Sequence, residues 1–145
     1  MNCISQIHNF LYLGSMDSTK KNVLLNNDIT YVFHIGFTIS ESDKLQHVKY
    51  NYIDMDDNSF NKDKMIENGL IITQTINNLD LHKEKILICC LMGRSRSASM
   101  VVFYLLYNNP KLSYYDAIIF IKKIRSISIN QSFADKLQEY FIENG

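Results

Sequence analysis

Residues 86–97 run Ile86-Leu87-Ile88-Cys89-Cys90-Leu91-Met92-Gly93-Arg94-Ser95-Arg96-Ser97, and an almost unbroken apolar stretch follows over residues 98–106. The opening residues carry no polar side chain, so they do not suit a half-exposed strand. They fit the central strand of a sheet covered on both faces. A Gly/Ser/Arg turn between such a strand and a helix leaves several backbone N–H groups aimed at one point, which is an anion cradle. A thiol sits where those donors converge. Helix N-termini and neighbouring arginines favour a thiolate, so Cys90 is placed as a nucleophile, and Arg96, six positions on, is placed to grip phosphate with its planar fork. The chain holds twelve lysines but only three arginines, and Arg94 and Arg96 both fall in this loop. Lysine would serve for solvation, whereas bidentate phosphate recognition needs arginine. The chemistry indicated is phosphoryl transfer to sulfur. Counting six from Cys89 instead reaches Ser95, which has no such fork, so Cys90 is the candidate nucleophile of the adjacent pair.

The rest of the chain reads as alternating strands and helices, then consecutive helices. Residues 10–14 form a short apolar, aromatic run stopped by Gly14 and read as a first strand at the sheet edge. Residues 15–27 read as a helix capped by Ser15 or Asp17. Residues 29–35 are β-branched and aromatic and stop at Gly36; residues 48–53 form a further strand. The acidic turn Asp54-Met55-Asp56-Asp57-Asn58-Ser59 follows directly and puts carboxylates on a loop at a strand end. Met65, Gly69, Ile72, Ile76 and Leu79 recur at helical spacing. Residues 97–107 read as a buried helix ended by Asn108-Asn109-Pro110. Ser113 with Asp116 resembles a capping box for a helix reaching Ile124. A last helix over residues 131–142 buries Phe133, Leu137, Tyr140 and Phe141. The fold class expected is α/β, with a single central mixed, mostly parallel sheet flanked by helices.

Residues 1–145 suffice for one domain with its own core. The formal net charge is zero, so no overall field draws the chain to nucleic acid or anionic membrane, and neither partner is expected. Three cysteines, two of them adjacent, make neither a disulfide framework nor a paired-cysteine metal site, and point to a reducing compartment. His8, His34, His47 and His82 show no ligand spacing; His34 reads as a packed or capped side chain. No metal and no cofactor is expected. No stretch approaches a membrane span, the first residues lack a signal-peptide pattern, and Asn2 is not the glycine that myristoylation needs. The expected location is the cytoplasm, with access to the nucleus. Oligomeric state is left open.

Cys90-Leu91-Met92-Gly93-Arg94-Ser95-Arg96-Ser97 resembles the C-x5-R-S/T signature loop of cysteine-dependent protein phosphatases, and residues 92–98 are especially similar to the dual-specificity branch. The likeness continues outside the loop. Leu11-Tyr12-Leu13-Gly14-Ser15 resembles that family's opening strand, Ile29-Thr30-Tyr31-Val32 its next strand, the acidic turn its general-acid loop, and Ser132-Phe133 through Leu137 its closing helix. The chain then corresponds to a minimal catalytic domain with the tyrosine-phosphatase type of fold.

The resemblance implies that Cys90 forms a phosphocysteine intermediate. It implies that Arg96 and the loop backbone over Leu91, Met92, Gly93, Arg94, Ser95 and Arg96 hold the phosphate oxygens, and that Ser97 steadies the departing thiolate. Asp57 is implied as general acid and then base. Asp54, Asp56 and Asp57 share one turn whose ordinary reading is a solvated acidic loop; Asp57 is favoured because Asp57-Asn58 sits where the family has an Asp-Asn or Asp-Ser pair, with Asp56 the alternative. The family's histidine before the nucleophile is replaced by Cys89, which implies slower or differently pH-tuned chemistry. Cys89 itself reads as a small buried apolar residue, or else as a partner of Cys90 in reversible oxidation. The implied substrates and partners are phosphorylated proteins, carrying phosphotyrosine and phosphoserine or phosphothreonine. The chain has no Trp, so it lacks the Trp-Pro-Asp acid loop of tyrosine-only enzymes. Two alternatives stand beside this: a phosphoinositide or RNA 5′-phosphatase, towards which only Arg94 leans, and a phosphoprotein-binding module with weakened catalysis.

Overall fold

A computed structural model describes residues 2–58 and 62–144. Five strands, β1 (Ile4–His8), β2 (Leu11–Gly14), β3 (Tyr31–Ile35), β4 (Lys49–Ile53) and β5 (Ile86–Cys89), form one sheet in the order β1-β2-β5-β3-β4. β1 runs antiparallel to β2, and every other neighbouring pair is parallel. All four residues of β5 are buried at the centre, as its uniformly apolar sequence requires.

The helices are α1 (Lys21–Asn26), α2 (Lys62–Asn77), α3 (Arg96–Asn108), α4 (Tyr114–Lys122) and α5 (Gln131–Asn144). The larger core lies on one face of the sheet, where Leu13, Phe33 and Ile88 meet Ile72 of α2, Phe103 of α3, Ile121 of α4 and Phe133 of α5. The opposite face is covered by a smaller cluster, Tyr12, Val32, Leu87 and Cys89 with Leu24 of α1 and Ile29. α3 is buried along residues 97–106, so it needs close neighbours all round. Gly69 of α2 supplies one: a β-carbon there would stand 2.6 Å from the Phe103 ring. Asn108 and Asn109 end α3 by donating side-chain N–H groups to the carbonyls of Tyr104 and Leu105, at 3.1 and 2.8 Å.

Three local expectations change. The run at residues 10–14 is not an edge strand, because β1 pairs outside it; Ile4-Ser5-Gln6-Ile7-His8 carries only two apolar residues and a register shift, which hides it from pattern reading. Residues 15–27 are not one helix: a 3-10 turn, Met16–Thr19, precedes α1, and Ser15 makes no side-chain cap. The helix before Ile124 stops at Lys122, although Ser113 does cap it, accepting from the Asp116 N–H at 3.1 Å.

The parallel strands β3, β4 and β5 end side by side, and the turn at Gly36, the acidic turn and the Cys90 loop all leave from those ends. A crevice beyond the carboxyl ends of parallel strands is where such sheets bind ligands.

Candidate active site

β5 ends at Cys89, and the alternation of a strand sends neighbouring side chains to opposite faces. Cys89 enters the smaller cluster and Cys90 the larger. Cys89 is fully buried, and its Sγ donates to the Phe33 carbonyl at 3.5 Å. Burial pushes its ionisation well above the ordinary thiol range; Cys90 pushes the same way and a hydrogen bond with Ser18 opposes both. Cys90 is 2% exposed, yet lines a cavity of about 290 Å3 with Asp57, Met92, Arg94, Ser95, Arg96 and Ser128. Its Sγ lies 3.0 Å from Ser97 Oγ and accepts the Ser97 N–H at 3.4 Å. That N–H belongs to the first turn of α3, where backbone donors have no helical partner.

The loop closes around this thiol through its carbonyls. Leu91 O accepts from Met16 N–H at 3.1 Å and Arg94 O from Ser128 N–H at 2.9 Å. Between them, Met92 O and Gly93 O accept from Arg125, Nη2 at 3.4 Å and Nε at 2.8 Å. Among the described residues no peptide is cis, and a trans peptide points its N–H opposite to its carbonyl. Four successive carbonyls held on the outer side therefore turn the N–H groups of Met92, Gly93, Arg94 and Ser95 inward. Gly93 adopts φ +67, and a β-carbon there would come within 2.5 Å of the Gly14 backbone.

Arg96 donates from Nη1 to Met55 O at 3.2 Å and packs closely against Gly36, whose φ is +76. A side chain at Gly36 would collide with the guanidinium. His34 fixes that turn, with Nδ1 2.7 Å from Phe37 O; burial pushes its ionisation down. It is thus a packed, hydrogen-bonded side chain, as the sequence suggested.

The three carboxylates of the acidic turn separate. Asp54 pairs with Lys64 at 2.9 Å and is not part of the cavity lining. Asp57 lines the cavity, and its Oδ1 accepts from Ser95 Oγ at 2.8 Å. Ser95 Oγ in turn accepts the Asn130 N–H at 2.9 Å, so the start of α5 and the acidic turn are tied through one hydroxyl. Asp56 has no place in the cavity lining. Ser59, the last residue of that turn, lies outside the described residues.

Sequence reasoning missed Gly36, Ser128, Asn130 and Arg125 as parts of this site. Arg125 had a usable signal: it is the third arginine of a chain that otherwise uses lysine, and all three meet at one loop. Arg94 lines the cavity with its buried Nε free of any protein partner among the described residues.

A family model described as dual specificity phosphatase, catalytic domain, matches residues 11–143. The chain is 32% identical over 137 residues to a probable rhodanese domain-containing dual specificity protein phosphatase of Dictyostelium discoideum, which covers 92% of this chain and 28% of that protein. It is 34% identical over 148 aligned positions to a putative tyrosine-protein phosphatase, AMV078, of Amsacta moorei entomopoxvirus, covering 94% of this chain and 86% of the other. Among solved structures, the human tyrosine phosphatase-like serine/threonine/tyrosine-interacting protein superposes with a TM-score of 0.78 at 24% identity, over 97% of this chain and 96% of that one. The chain thus spans under a third of the first relative's length and most of the second's.

Proposed function

The chain belongs to the family of dual specificity phosphatase catalytic domains, and from that premise we propose that residues 1–145 form one catalytic domain that hydrolyses phosphotyrosine and phosphoserine or phosphothreonine in proteins. The observation that carries this reading is that Cys90, Asp57 and Arg96 line one cavity backed by inward-facing N–H groups, with the Ser97 hydroxyl 3.0 Å from the Cys90 sulfur.

Cys90 Sγ attacks phosphorus as the thiolate. The S–P bond forms as the ester P–O bond breaks, and Asp57 delivers a proton to the departing oxygen. Ser95 holds Oδ1 of Asp57, which leaves Oδ2 to carry that proton. Negative charge on the equatorial oxygens is met by the loop N–H groups and by the Arg96 fork, donors already in place before the reaction starts. In the second step Asp57 takes a proton from water, the water oxygen bonds to phosphorus, and the S–P bond breaks. Ser97 donates to the thiolate as it leaves, from 3.0 Å. Asp57 is preferred to Asp56 because it lines the cavity, and to Asp54 because Asp54 is engaged with Lys64.

The absence of Trp, and with it of a Trp-Pro-Asp acid loop, supports phosphoserine and phosphothreonine as substrates alongside phosphotyrosine. Among the described residues no helix is long and apolar enough to cross a membrane. The free cysteines fit a reducing compartment, and the proposed location is the cytoplasm with access to the nucleus.

The test is phosphate release from phosphotyrosyl and phosphoseryl peptides, a small aryl phosphate, a phosphoinositide and an RNA 5′-phosphate, for wild type, Cys90→Ser and Asp57→Ala. Turnover of both peptide classes, lost in Cys90→Ser, is expected. Phosphopeptide binding without turnover by wild type would mean a binding module, and turnover of the lipid or RNA alone would move the substrate class.

A further inference from the structure

Arg125 stands on the turn after α4 and is 4% exposed. The mechanism above gives it no step, although burial pushes its ionisation down and makes the site a costly one for a cation. Its partners are not carboxylates. Nε donates to Gly93 O at 2.8 Å, Nη2 to Met92 O at 3.4 Å, and Nη1 to Asn2 O at 2.8 Å and to Ser5 Oγ at 3.2 Å. Two of these acceptors belong to the loop around Cys90 and two to the start of the chain.

We propose that Arg125 is a positioning residue for the phosphate cradle: it clamps the Met92–Gly93 and Gly93–Arg94 peptides so that their N–H groups face the phosphoryl oxygens, and it anchors that clamp to residues 2–5. This rests on the phosphatase reading of the same loop. Gly93 is the point at which the loop is free to misfold, because a glycine at φ +67 lets either flanking peptide rotate at little steric cost. A rotated peptide would aim a carbonyl oxygen, rather than an N–H, at an anionic substrate. The clamp holds both flanking carbonyls outward with adjacent nitrogens of one rigid plane. Lysine keeps the charge but has no fork, and so cannot fix two carbonyls at once. A β-carbon at Gly93 would lie 2.7 Å from Arg125 Nη2, so the guanidinium also packs directly beneath the turn it holds.

The test compares wild type with Arg125→Lys. Loss of oriented donors weakens the transition state more than the ground state, so kcat on an aryl phosphate should fall about tenfold to hundredfold with KM changed much less. The inhibition constant of orthovanadate, which takes up the trigonal-bipyramidal geometry, should rise by a similar factor. A merely structural role would reduce the titratable fraction of active protein and leave vanadate affinity unchanged. The backbone amide signals of Gly93 and Arg94 in the substrate-free protein give a readout that needs no turnover, and both should shift in Arg125→Lys. If wild type proves inactive on every phosphate ester, the phosphatase reading fails while these amide signals still decide the clamp. Unmoved amide signals and unchanged vanadate affinity in folded Arg125→Lys would overturn it. Should that variant not fold, Ser5→Ala takes its place by slackening one outer tie: shifts at the same two amides support the clamp, and their absence overturns it.

Discussion

Cys89 and Cys90 are neighbours in sequence, and their surroundings differ in nearly every respect that governs a thiol. Cys89 faces a closed cluster, donates to a backbone carbonyl and is held neutral by burial. Cys90 faces the other side of the sheet, lies against a hydroxyl, accepts a helical N–H, and opens into a cavity lined by two arginines. One step along a strand reverses the face, so the same side chain serves as core in one position and as candidate nucleophile in the next. The difference teaches that the setting of a thiol here is decided by the loop and not by the residue type. It also weighs against reversible oxidation between the two, since the pleat turns their sulfurs apart.

The largest effect that tests this contrast is on turnover. Cys90→Ser should lower phosphate release by about 10⁴-fold or more, because the nucleophile itself is lost, whereas Cys89→Ser should keep activity within about tenfold of wild type. Comparable losses in both variants would dissolve the distinction. Next in size is the acid. Asp57→Asn should cut kcat by about 10²- to 10³-fold on alkyl phosphoesters and less on an aryl phosphate with a good leaving group, while Asp54→Asn should leave kcat nearly unchanged, as judged by steady-state rates.

A smaller effect is expected where the loop rests on β3. Gly36→Ala forces a β-carbon into the Arg96 guanidinium at a positive φ, and kcat/KM should fall about tenfold with a stability cost of about 1–2 kcal/mol, read from rates and denaturant unfolding. The smallest effect concerns the Cys89 side. Its folded-state ionisation is raised above that of the unfolded chain, so its contribution is complete below about pH 8.5 and is lost as pH rises towards the folded value. Between pH 7 and pH 10 wild type should therefore lose up to about 2 kcal/mol of stability that Cys89→Ala does not lose. Equal alkaline losses in the two proteins would show that the Cys89 site is open to solvent.

Most of the fold was legible where the pattern was strong. β5, β3, α2, α3 and α5 follow from a uniformly apolar run, β-branched residues bounded by glycine, or clear helical periodicity. β1 was not, because Ile4 and Ile7 are too few to stand out and only pairing with β2 gives the segment its form. The break between Met16–Thr19 and α1 was hidden for a similar reason: Met16 N–H is drawn to Leu91 O across the fold, a bond with no local signal. In the site, Cys90, Arg96 and Ser97 were legible because they share one short loop. Asp57 was only one of three carboxylates until Lys64 took Asp54 and Ser95 met Asp57.

By itself the sequence determined the strand, turn and helix around Cys90, the six-residue step to Arg96 that makes Cys90 rather than Cys89 the candidate nucleophile, and the scarcity of arginine that marks the loop. These are local properties, set by side-chain periodicity and spacing along the chain. Only the tertiary structure shows which carboxylate of the acidic turn lines the cavity with Cys90, that Gly36 makes room for Arg96, and that Arg125 holds the loop from behind. Those contacts join residues more than thirty positions apart, and distances of that kind arise only when the sheet and its helices have packed.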